Sequence, residues 1–152
     1  MMAMQPTSGF SQEADLLSRA ANAVRRRQRL STAFGRQEAF DQLGEVWSEC
    51  SQENWDGHGA LPIAADTLRE TYCLLETMPD NIPSPSLGAE PDGHLTLEWH
   101  RSRRRTLSVS VTPNGELHYA ALLGPNREYG TEAHFGELPV RILELVERLF
   151  RK

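Results

Sequence analysis

Residues 86–122, SLGAEPDGHLTLEWHRSRRRTLSVSVTPNGELHYAAL, decide the fold of this chain. Two motifs in this stretch, Pro91-Asp92-Gly93 and Pro113-Asn114-Gly115, each place a proline two residues before a glycine. Proline presets φ, Asp and Asn tolerate right- and left-handed conformations, and glycine accepts a positive φ. Each motif therefore predicts a three-residue β-hairpin loop that is closed by a glycine bulge.

These loops, together with a short middle loop at residues 102–104, fix which strand residues face each other. They predict that Leu97 pairs with Leu87 on one side and with Val109 on the other. A slip of one residue would move the whole apolar set into water, so the agreement between the hairpins supports this register. The predicted buried face consists of Leu87, Ala89, Leu95, Leu97, Trp99, Leu107, Val109, Val111, Leu117, Tyr119 and Ala121.

The rest of the sequence predicts helices against that face. The fold class is therefore α+β, an antiparallel four- to five-stranded β-meander covered on one face by helices, with an N-terminal helical extension. Apolar spacing predicts an amphipathic helix over residues 11–30. We divide the chain into an N-terminal tail and helical arm (1–35) and a single α+β domain (36–152). In the domain we predict helices at 36–50, 62–78 and 139–150, a loop at 124–130 and a short edge strand at 131–135.

The opposite face of the sheet is polar and offers a catalytic alternative. A hydrolase or nuclease would use Glu98, His100 and His118, with His118 as the base and Glu98 orienting it or binding a cation. The same pattern is typical of a sheet face that is simply exposed to water. Neither Ser108 nor Ser110 lies in a nucleophile elbow, and our preferred prediction contains no catalytic residue. The polar set is Thr96, Glu98, His100, Ser108, Ser110, Glu116 and His118.

A glycine-rich loop, ENWDGHGALP, follows the second helix at residues 53–62. Asp56 can accept hydrogen bonds from nearby backbone N–H groups, as in Asx turns, and Trp55 supplies an aromatic anchor. Either Trp55 closes the end of the core, or Trp55, Asp56 and His58 form a recognition loop for a partner. No metal site is predicted, because Asp56 and His58 lack a second ligand pair at a familiar spacing.

Arginines form two clusters, although the net charge of the chain is -5. Such clusters bind phosphates, bind the acidic side chains of a partner protein, or simply form a solvated basic face. Duplex-binding proteins usually carry a basic domain and a recognisable docking element, and neither is evident, so nucleic-acid binding is the minor alternative. That alternative uses Arg25, Arg26, Arg27 and Arg29, whereas Arg101, Arg103, Arg104 and Arg105 are predicted to bind a protein partner.

The composition is typical of a water-soluble protein, with 39% hydrophobic residues and a mean hydropathy of -0.51. No run approaches the roughly 20 apolar residues of a membrane-spanning helix, and the N-terminus lacks the apolar stretch of a signal peptide. We therefore expect a cytoplasmic protein without membrane contacts. Cys50 and Cys73 fall in predicted helices and are expected to be free thiols. No cofactor is predicted.

Two motifs resemble those of a widespread family of small uncharacterised bacterial and phage proteins. The first is the N-W-D-G-x-G-A loop at residues 54–60, and the second combines the P-D-G hairpin at 91–93 with the L-E-W strand at 97–99. The resemblance covers roughly residues 45–150 and implies a bacterial or phage origin without a settled activity. His58 stands where the family pattern has an aromatic residue such as tyrosine, which argues against an indispensable imidazole ligand.

These features favour a non-enzymatic protein-protein interaction module, with an inhibitory or regulatory role, over an enzyme. The unusual residues are aromatic and charged side chains in loops, which are typical of binding surfaces. The expected partner is another protein, such as a toxin, a nuclease or a defence component. The N-terminal helix could also join two copies of the chain into a homo-oligomer.

Overall fold

The computed structural model describes residues 15–20 and 34–152 of the chain. Within these ranges, four helices accompany a five-stranded antiparallel sheet, which confirms the predicted α+β class. The strand order in the sheet follows the order along the chain, as in a meander. In the described part of the chain, no helix has both the length and the apolar composition needed to cross a membrane. The elements are α1 (residues 15–20), α2 (Phe34–Cys50), α3 (Ala65–Thr77), β1 (Ser86–Ala89), β2 (Leu95–Ser102), β3 (Arg105–Val111), β4 (Glu116–Leu123), β5 (Asn126–Ala133) and α4 (Val140–Phe150).

Both glycine-closed hairpin loops form as predicted. Gly93 and Gly115 have φ angles of +89° and +80°, which glycine adopts without steric strain. The observed registers confirm that Leu97 pairs with Leu87 in β1 and with Val109 in β3. The predicted alignment of the apolar residues is therefore present across the first four strands.

The hairpin between β2 and β3 is tighter than the predicted loop. Ser102 pairs with Arg105, so two residues rather than three form the turn. A β-bulge at Arg101 absorbs the extra residue, and Trp99 still faces Leu107 as predicted. The bulge thus preserves the side-chain alternation that buries one face of the sheet.

The last strand is longer than the sequence predicts. In place of the predicted long loop, the dipeptide Gly124-Pro125 forms a tight turn, and β5 runs through Asn126–Ala133. The glycine has a φ of +66°, as the first position of a type II′ turn requires. Gly130 weakens the strand pattern in the sequence, but it leaves room for the ring of Tyr119.

One face of the sheet forms the core beneath the helices. Trp99 is the largest of the fully buried side chains in the described part of the chain, and its indole N–H donates to the carbonyl of Pro83 at 2.7 Å. Helix α3 contacts β2 and β3, and α4 contacts β2, β3 and β4. Helix α2 covers the edge strand β1, where the Gln42 side chain accepts the backbone N–H of Leu87 at 2.8 Å. Of the predicted inner face, Leu87, Ala89 and Tyr119 are half-buried and the others are buried.

The helices of the domain lie close to their predicted positions. α3 begins at Ala65 rather than at residue 62, because the preceding segment connects to α2 and the N–H of Ile63 donates to the carbonyl of Cys50. In the predicted N-terminal helix, residues 15–20 are helical, and Leu16 and Leu17 pack against the core. The rest of that predicted helix, including the arginines at 25–29, lies outside the described residues.

A buried histidine fixes the segment that follows β5. The His134 side chain is fully buried, and its Nε2 atom lies 3.5 Å from a carboxylate oxygen of Glu70 on α3. Its Nδ1 atom accepts the backbone N–H of Gly136 at 3.3 Å. Burial lowers the pKa of His134, although the Glu70 carboxylate opposes this effect. The imidazole is therefore neutral in the folded protein at neutral pH.

We expect mild acid to destabilise the protein through His134. Its folded-state pKa lies below the usual value of about 6.5, so the unfolded state binds the proton more readily. This contribution is complete above about pH 6.5 and is lost as the pH falls through the folded-state pKa. His134→Asn, which can still accept the Gly136 N–H, should flatten the pH dependence of the free energy of unfolding below that pH. Urea unfolding across this pH range tests the prediction, and an unchanged slope in the variant would contradict it.

Candidate functional site

Polar side chains within the loop between α2 and α3 hold its shape. Asn54 has a φ of +59°, and its side-chain oxygen accepts the N–H of Gly59 at 2.7 Å. Asp56 accepts the backbone N–H groups of His58 at 2.7 Å and Ala60 at 3.0 Å. These two hydrogen bonds lower the pKa of Asp56, because they stabilise its charged form. Asp56 thus organises the loop as an Asx turn does.

Trp55 anchors the same loop. Its side chain is half-buried and packs against the core, and its indole N–H donates to the carbonyl of Leu61 at 2.9 Å. This geometry supports the interpretation in which Trp55 closes the end of the core. His58 is exposed, and its ring nitrogen Nδ1 lies 2.9 Å from the carbonyl oxygen of Asp56. Of the three residues predicted to recognise a partner in this loop, His58 is the one that faces solvent most fully.

The loop also supports the hairpin turn between β1 and β2. The N–H of Leu61 donates to the carbonyl of Pro91 at 2.8 Å. Gly93 lies directly against Pro62, since a Cβ atom at Gly93 would be 3.0 Å from the Pro62 carbonyl oxygen. The two motifs that carry the family resemblance, the glycine-rich loop and the P-D-G turn, therefore meet in the folded protein.

Three side chains with metal-binding atoms meet at this hairpin. One ligand atom from each of Glu90, Asp92 and His94 lies within 4.8 Å of the other two. Mixed carboxylate and imidazole sets can bind divalent metals such as Zn²⁺. Glu90 also accepts hydrogen bonds from the hydroxyls of Thr96, at 2.5 Å, and Ser110. Sequence reasoning overlooked this cluster, although Glu90 and His94 flank the predicted turn and share the face of Thr96.

The predicted catalytic residues are spread over the outer face of the sheet. His118 on β4 has its Nδ1 atom 2.9 Å from the hydroxyl of Thr131. Its ring stacks on that of His94, with ring centres 6.5 Å apart. Glu98 and His100 lie on β2, two strands away from β4. Among the described residues, no hydrogen bond joins either of them to His118, which instead neighbours the Glu90 cluster.

Two of the four arginines in the β2–β3 hairpin cap helix α4. Arg101 donates to the carbonyl of Arg151 at 2.7 Å. Arg105 donates to carbonyls in the same C-terminal turn at 3.2 and 3.3 Å. The last carbonyls of a helix lack partners within the helix and carry partial negative charge, so guanidinium groups stabilise them. Arg103 and Arg104 are exposed at the turn and are free of this capping role.

We expect the capping pair and the exposed pair to differ in their effect on stability. Arg101→Ala combined with Arg105→Ala should lower the free energy of unfolding by about 1 to 2 kcal/mol, because α4 loses its C-terminal donors. Arg103→Ala combined with Arg104→Ala should change it by less than about 0.5 kcal/mol. Urea unfolding of the two double variants measures both values. Equal losses in the two variants would contradict the capping role.

The meander separates the predicted partner-binding residues. The turns at residues 91–93 and 113–115 lie at one end of the sheet, which we call the loop end. The arginine turn lies at the opposite end, because successive hairpins of a meander alternate between ends. The loop at residues 54–60 joins the loop end through the contact with Pro91. The structure therefore does not bring Trp55, Asp56 and His58 together with the arginine cluster.

Two aromatic side chains that sequence reasoning did not single out are almost fully exposed. Tyr129 on β5 is 83% exposed, and Phe135 is 96% exposed. β5 ends at Ala133, which pairs with Glu116 next to the turn at residues 113–115, so Phe135 belongs to the loop end. Single-sequence patterns cannot distinguish an exposed phenylalanine from a core residue, because both look apolar.

Comparison of the chain with known protein families, with curated proteins and with solved structures gave no match. The family resemblance of the glycine-rich loop and the P-D-G hairpin therefore stays a prediction. The geometry of the loop end is the basis for assigning a function.

Proposed function

We propose that the protein is a non-enzymatic module that binds another protein through the loop end of its sheet, with Phe135 at the centre of the contact. The observation that carries this proposal is the exposure of Phe135, whose ring is 96% accessible to solvent. Burying a full aromatic side chain is among the largest favourable contributions that one residue makes to association. Large aromatic residues of this kind are typical of interface cores.

The residues on either side of Phe135 are anchored, so the exposed ring does not belong to a loose segment. The N–H of His134 donates to the carbonyl of Gly115 at 3.0 Å, and the His134 side chain is buried. The hydroxyl of Thr77 donates to the carbonyl of Gly136 at 2.6 Å. A side chain presented from a fixed backbone loses less entropy on binding. This preorganisation supports a recognition role for Phe135.

Neighbouring features support the same surface. Val140, at the start of α4, is 70% exposed and follows Phe135 closely in the chain. The loop carrying His58 also belongs to this end of the sheet, which keeps that predicted recognition residue within the proposed interface. We assign no binding role to Arg101 and Arg105, which cap α4. The proposed contact also leaves out Arg103 and Arg104, because their turn lies at the opposite end of the sheet. A toxin, nuclease or defence component as the partner remains the prediction made from the sequence.

Phe135→Ala tests the proposal. The variant should unfold at the same urea concentration as the wild type, within about 0.5 kcal/mol, because the side chain is exposed. Its affinity for a partner captured from the source cell should fall at least tenfold, as is usual at an interface hot spot. Arg103→Ala, at the opposite end of the sheet, is the matched control and should bind normally. Failure of the wild type to retain a stoichiometric partner, or unchanged binding by Phe135→Ala, would refute the proposal.

A second candidate function is a small metal-dependent hydrolase or nuclease. It is favoured by the cluster of Glu90, Asp92 and His94, with His118 stacked beside it. In this alternative the cluster would hold a divalent cation, and His118 would move a proton at the substrate. Zn²⁺ titration of wild type and His94→Ala, with phosphodiester and ester substrates offered to wild type and His118→Ala, tests it. Metal binding without turnover would remove this candidate.

A further inference from the structure

Acidic side chains surround Phe135 at the loop end of the sheet. The segments that form this end are residues 53–62, 90–94, 112–116 and 132–138, and none of them contains a lysine or an arginine. Two carboxylate residues lie in each of the first, second and last segments and one in the third, which gives seven in all. The loop end therefore carries a concentrated negative charge.

The opposite end of the sheet is basic. Arg103 and Arg104 are exposed at the turn between β2 and β3. Arg101 and Arg105 bond the C-terminal turn of α4, which adds Arg148 to the same end. The two signs of charge are thus separated along the strands. A charge distribution of this kind creates a field that draws oppositely charged partners to each end.

Two of the carboxylates lie next to Phe135. Glu116 pairs with Ala133 where β4 and β5 end, two residues before Phe135, and Glu137 follows Phe135 by two residues. Both side chains belong to exposed residues. No salt bridge within residues 15–20 and 34–152 neutralises either of them. The exposed ring is therefore flanked by unpaired negative charges.

The arginines of the neighbouring helices α3 and α4 do not cancel this charge. Arg69 on α3 bonds Asp66 at 2.7 Å. Arg141, in the first turn of α4, bonds Glu128 on β5. Each of these guanidinium groups is matched by a carboxylate of its own. The charge that remains available to a partner around Phe135 is therefore negative.

We propose that the partner presents a basic surface, in which lysine or arginine side chains surround an apolar socket for Phe135. This inference rests on the proposed protein-binding function and names the chemistry of the partner. Phe135 supplies the apolar burial, while Glu116 and Glu137 attract cations and disfavour acidic surfaces. Of the partners predicted from the sequence, a nuclease fits this chemistry, because its cationic side chains bind the phosphates of its substrate.

A peptide selection on the full chain tests the partner class. Random linear peptides displayed on phage are selected on immobilised wild type and counter-selected on Phe135→Ala. The retained peptides should carry net positive charge beside a leucine, isoleucine or aromatic residue. Neutral or acidic peptides would overturn the basic partner class and leave the Phe135 surface intact. If no peptide distinguished the wild type from Phe135→Ala, both the surface and the partner class would be refuted.

Binding kinetics of the most enriched peptide separate the charge from the ring. Glu116→Gln combined with Glu137→Gln should slow association about three- to tenfold at low salt, and less at about 0.3 M NaCl, because salt screens the attraction. Phe135→Ala should instead speed dissociation at least tenfold. Surface plasmon resonance measures both rates. An unchanged association rate in the double glutamine variant would overturn the role of the carboxylates.

A second double variant is the matched control for net charge. Glu45→Gln combined with Glu147→Gln removes the same charge from two exposed residues away from Phe135. Glu45 lies on α2, which covers β1 at the other edge of the sheet from β5, and Glu147 lies near the C-terminal end of α4. This variant should associate at nearly the wild-type rate. Equal slowing in both double variants would show that overall charge acts, and it would overturn the assignment to the loop end.

The chain's own arginine cluster is a competing occupant of the acidic surface. Combined Arg25→Gln, Arg26→Gln, Arg27→Gln and Arg29→Gln should leave the affinity for the enriched peptide unchanged. A tenfold rise in affinity would show that these arginines occupy the loop end, and it would overturn the assignment to a basic partner.

Discussion

Gly93→Ala is expected to lower the free energy of unfolding by about 2 to 5 kcal/mol. An L-residue at the φ of +89° found here carries strain of about 1 to 2 kcal/mol. The new Cβ atom would also lie 3.0 Å from the carbonyl oxygen of Pro62, which is backbone and cannot rotate away. Relieving that contact must move the turn away from Leu61, whose N–H bonds to Pro91, at a further cost of about 1 to 3 kcal/mol.

Gly115→Ala is the matched control for this prediction. Gly115 closes the equivalent hairpin with a φ of +80°, but the nearest atom to a Cβ there is the His134 carbonyl oxygen at 3.6 Å, an ordinary contact. We expect this variant to lose only the strain of about 1 to 2 kcal/mol. Urea unfolding gives both values, and hydrogen exchange at the Leu61 amide should accelerate in Gly93→Ala alone. If both variants lost the same free energy of unfolding and the Leu61 amide exchanged at an unchanged rate, the contact of Gly93 with residues 61–62 would contribute nothing to stability.

Arg36→Met is expected to destabilise the protein by about 2 to 4 kcal/mol. Arg36 lies near the start of α2 and is only 8% exposed. Its guanidinium donates to the carbonyls of Leu75, in the last turn of α3, at 3.2 Å and of Pro79 at 3.1 Å. Methionine preserves the packing of the side-chain stem but leaves the buried carbonyl of Leu75 and the partly buried carbonyl of Pro79 without these donors. The loss should appear as a lower urea midpoint with an unchanged denaturant slope.

Two further variants separate the role of Arg36 from that of positive charge in general. Arg36→Lys retains the charge but cannot reach both carbonyls with a planar fork, so we expect an intermediate loss. Arg69→Met removes an exposed arginine that bonds Asp66 at 2.7 Å within α3, and it should change stability by less than about 1 kcal/mol. If Arg36→Met and Arg69→Met were equally stable, the contacts of Arg36 with Leu75 and Pro79 would not matter to folding.

The meander could be predicted because its determinants are local. Each glycine turn specifies its own register within a few residues, and the alternation of apolar side chains on both sides supports the same pairing. The observed partners of Leu97 and Trp99 agree with that prediction. The sequence predicts a loop over residues 124–130, where the structure has a tight turn and the first part of β5. The strand was missed because its inward positions carry Glu128 and Gly130 instead of apolar residues. Arg148 and Arg141 on α4 bind Glu128, an interaction between elements that no local pattern contains.

The candidate binding surfaces also depend on contacts between distant elements, which local sequence patterns do not contain. Residue type alone suggested that Trp55 and the arginines would be available to a partner. In the folded chain, Trp55 bonds Leu61, while Arg101 and Arg105 bond the end of α4. Phe135 has an apolar side chain of the kind usually found in a core, but it is exposed to solvent. Such outcomes depend on which distant backbone groups come near a side chain, and this information appears only when the chain is packed.

By itself, the sequence determined the α+β class, the order and register of the first four strands, and the face of the sheet that is buried. Turn chemistry and side-chain alternation act between near neighbours, so they can be read without knowledge of the rest of the molecule. Only the tertiary structure decided which polar groups are used internally and which remain free. Helix ends, buried carbonyls and exposed rings become satisfied or available only through contacts between residues that are far apart in the chain.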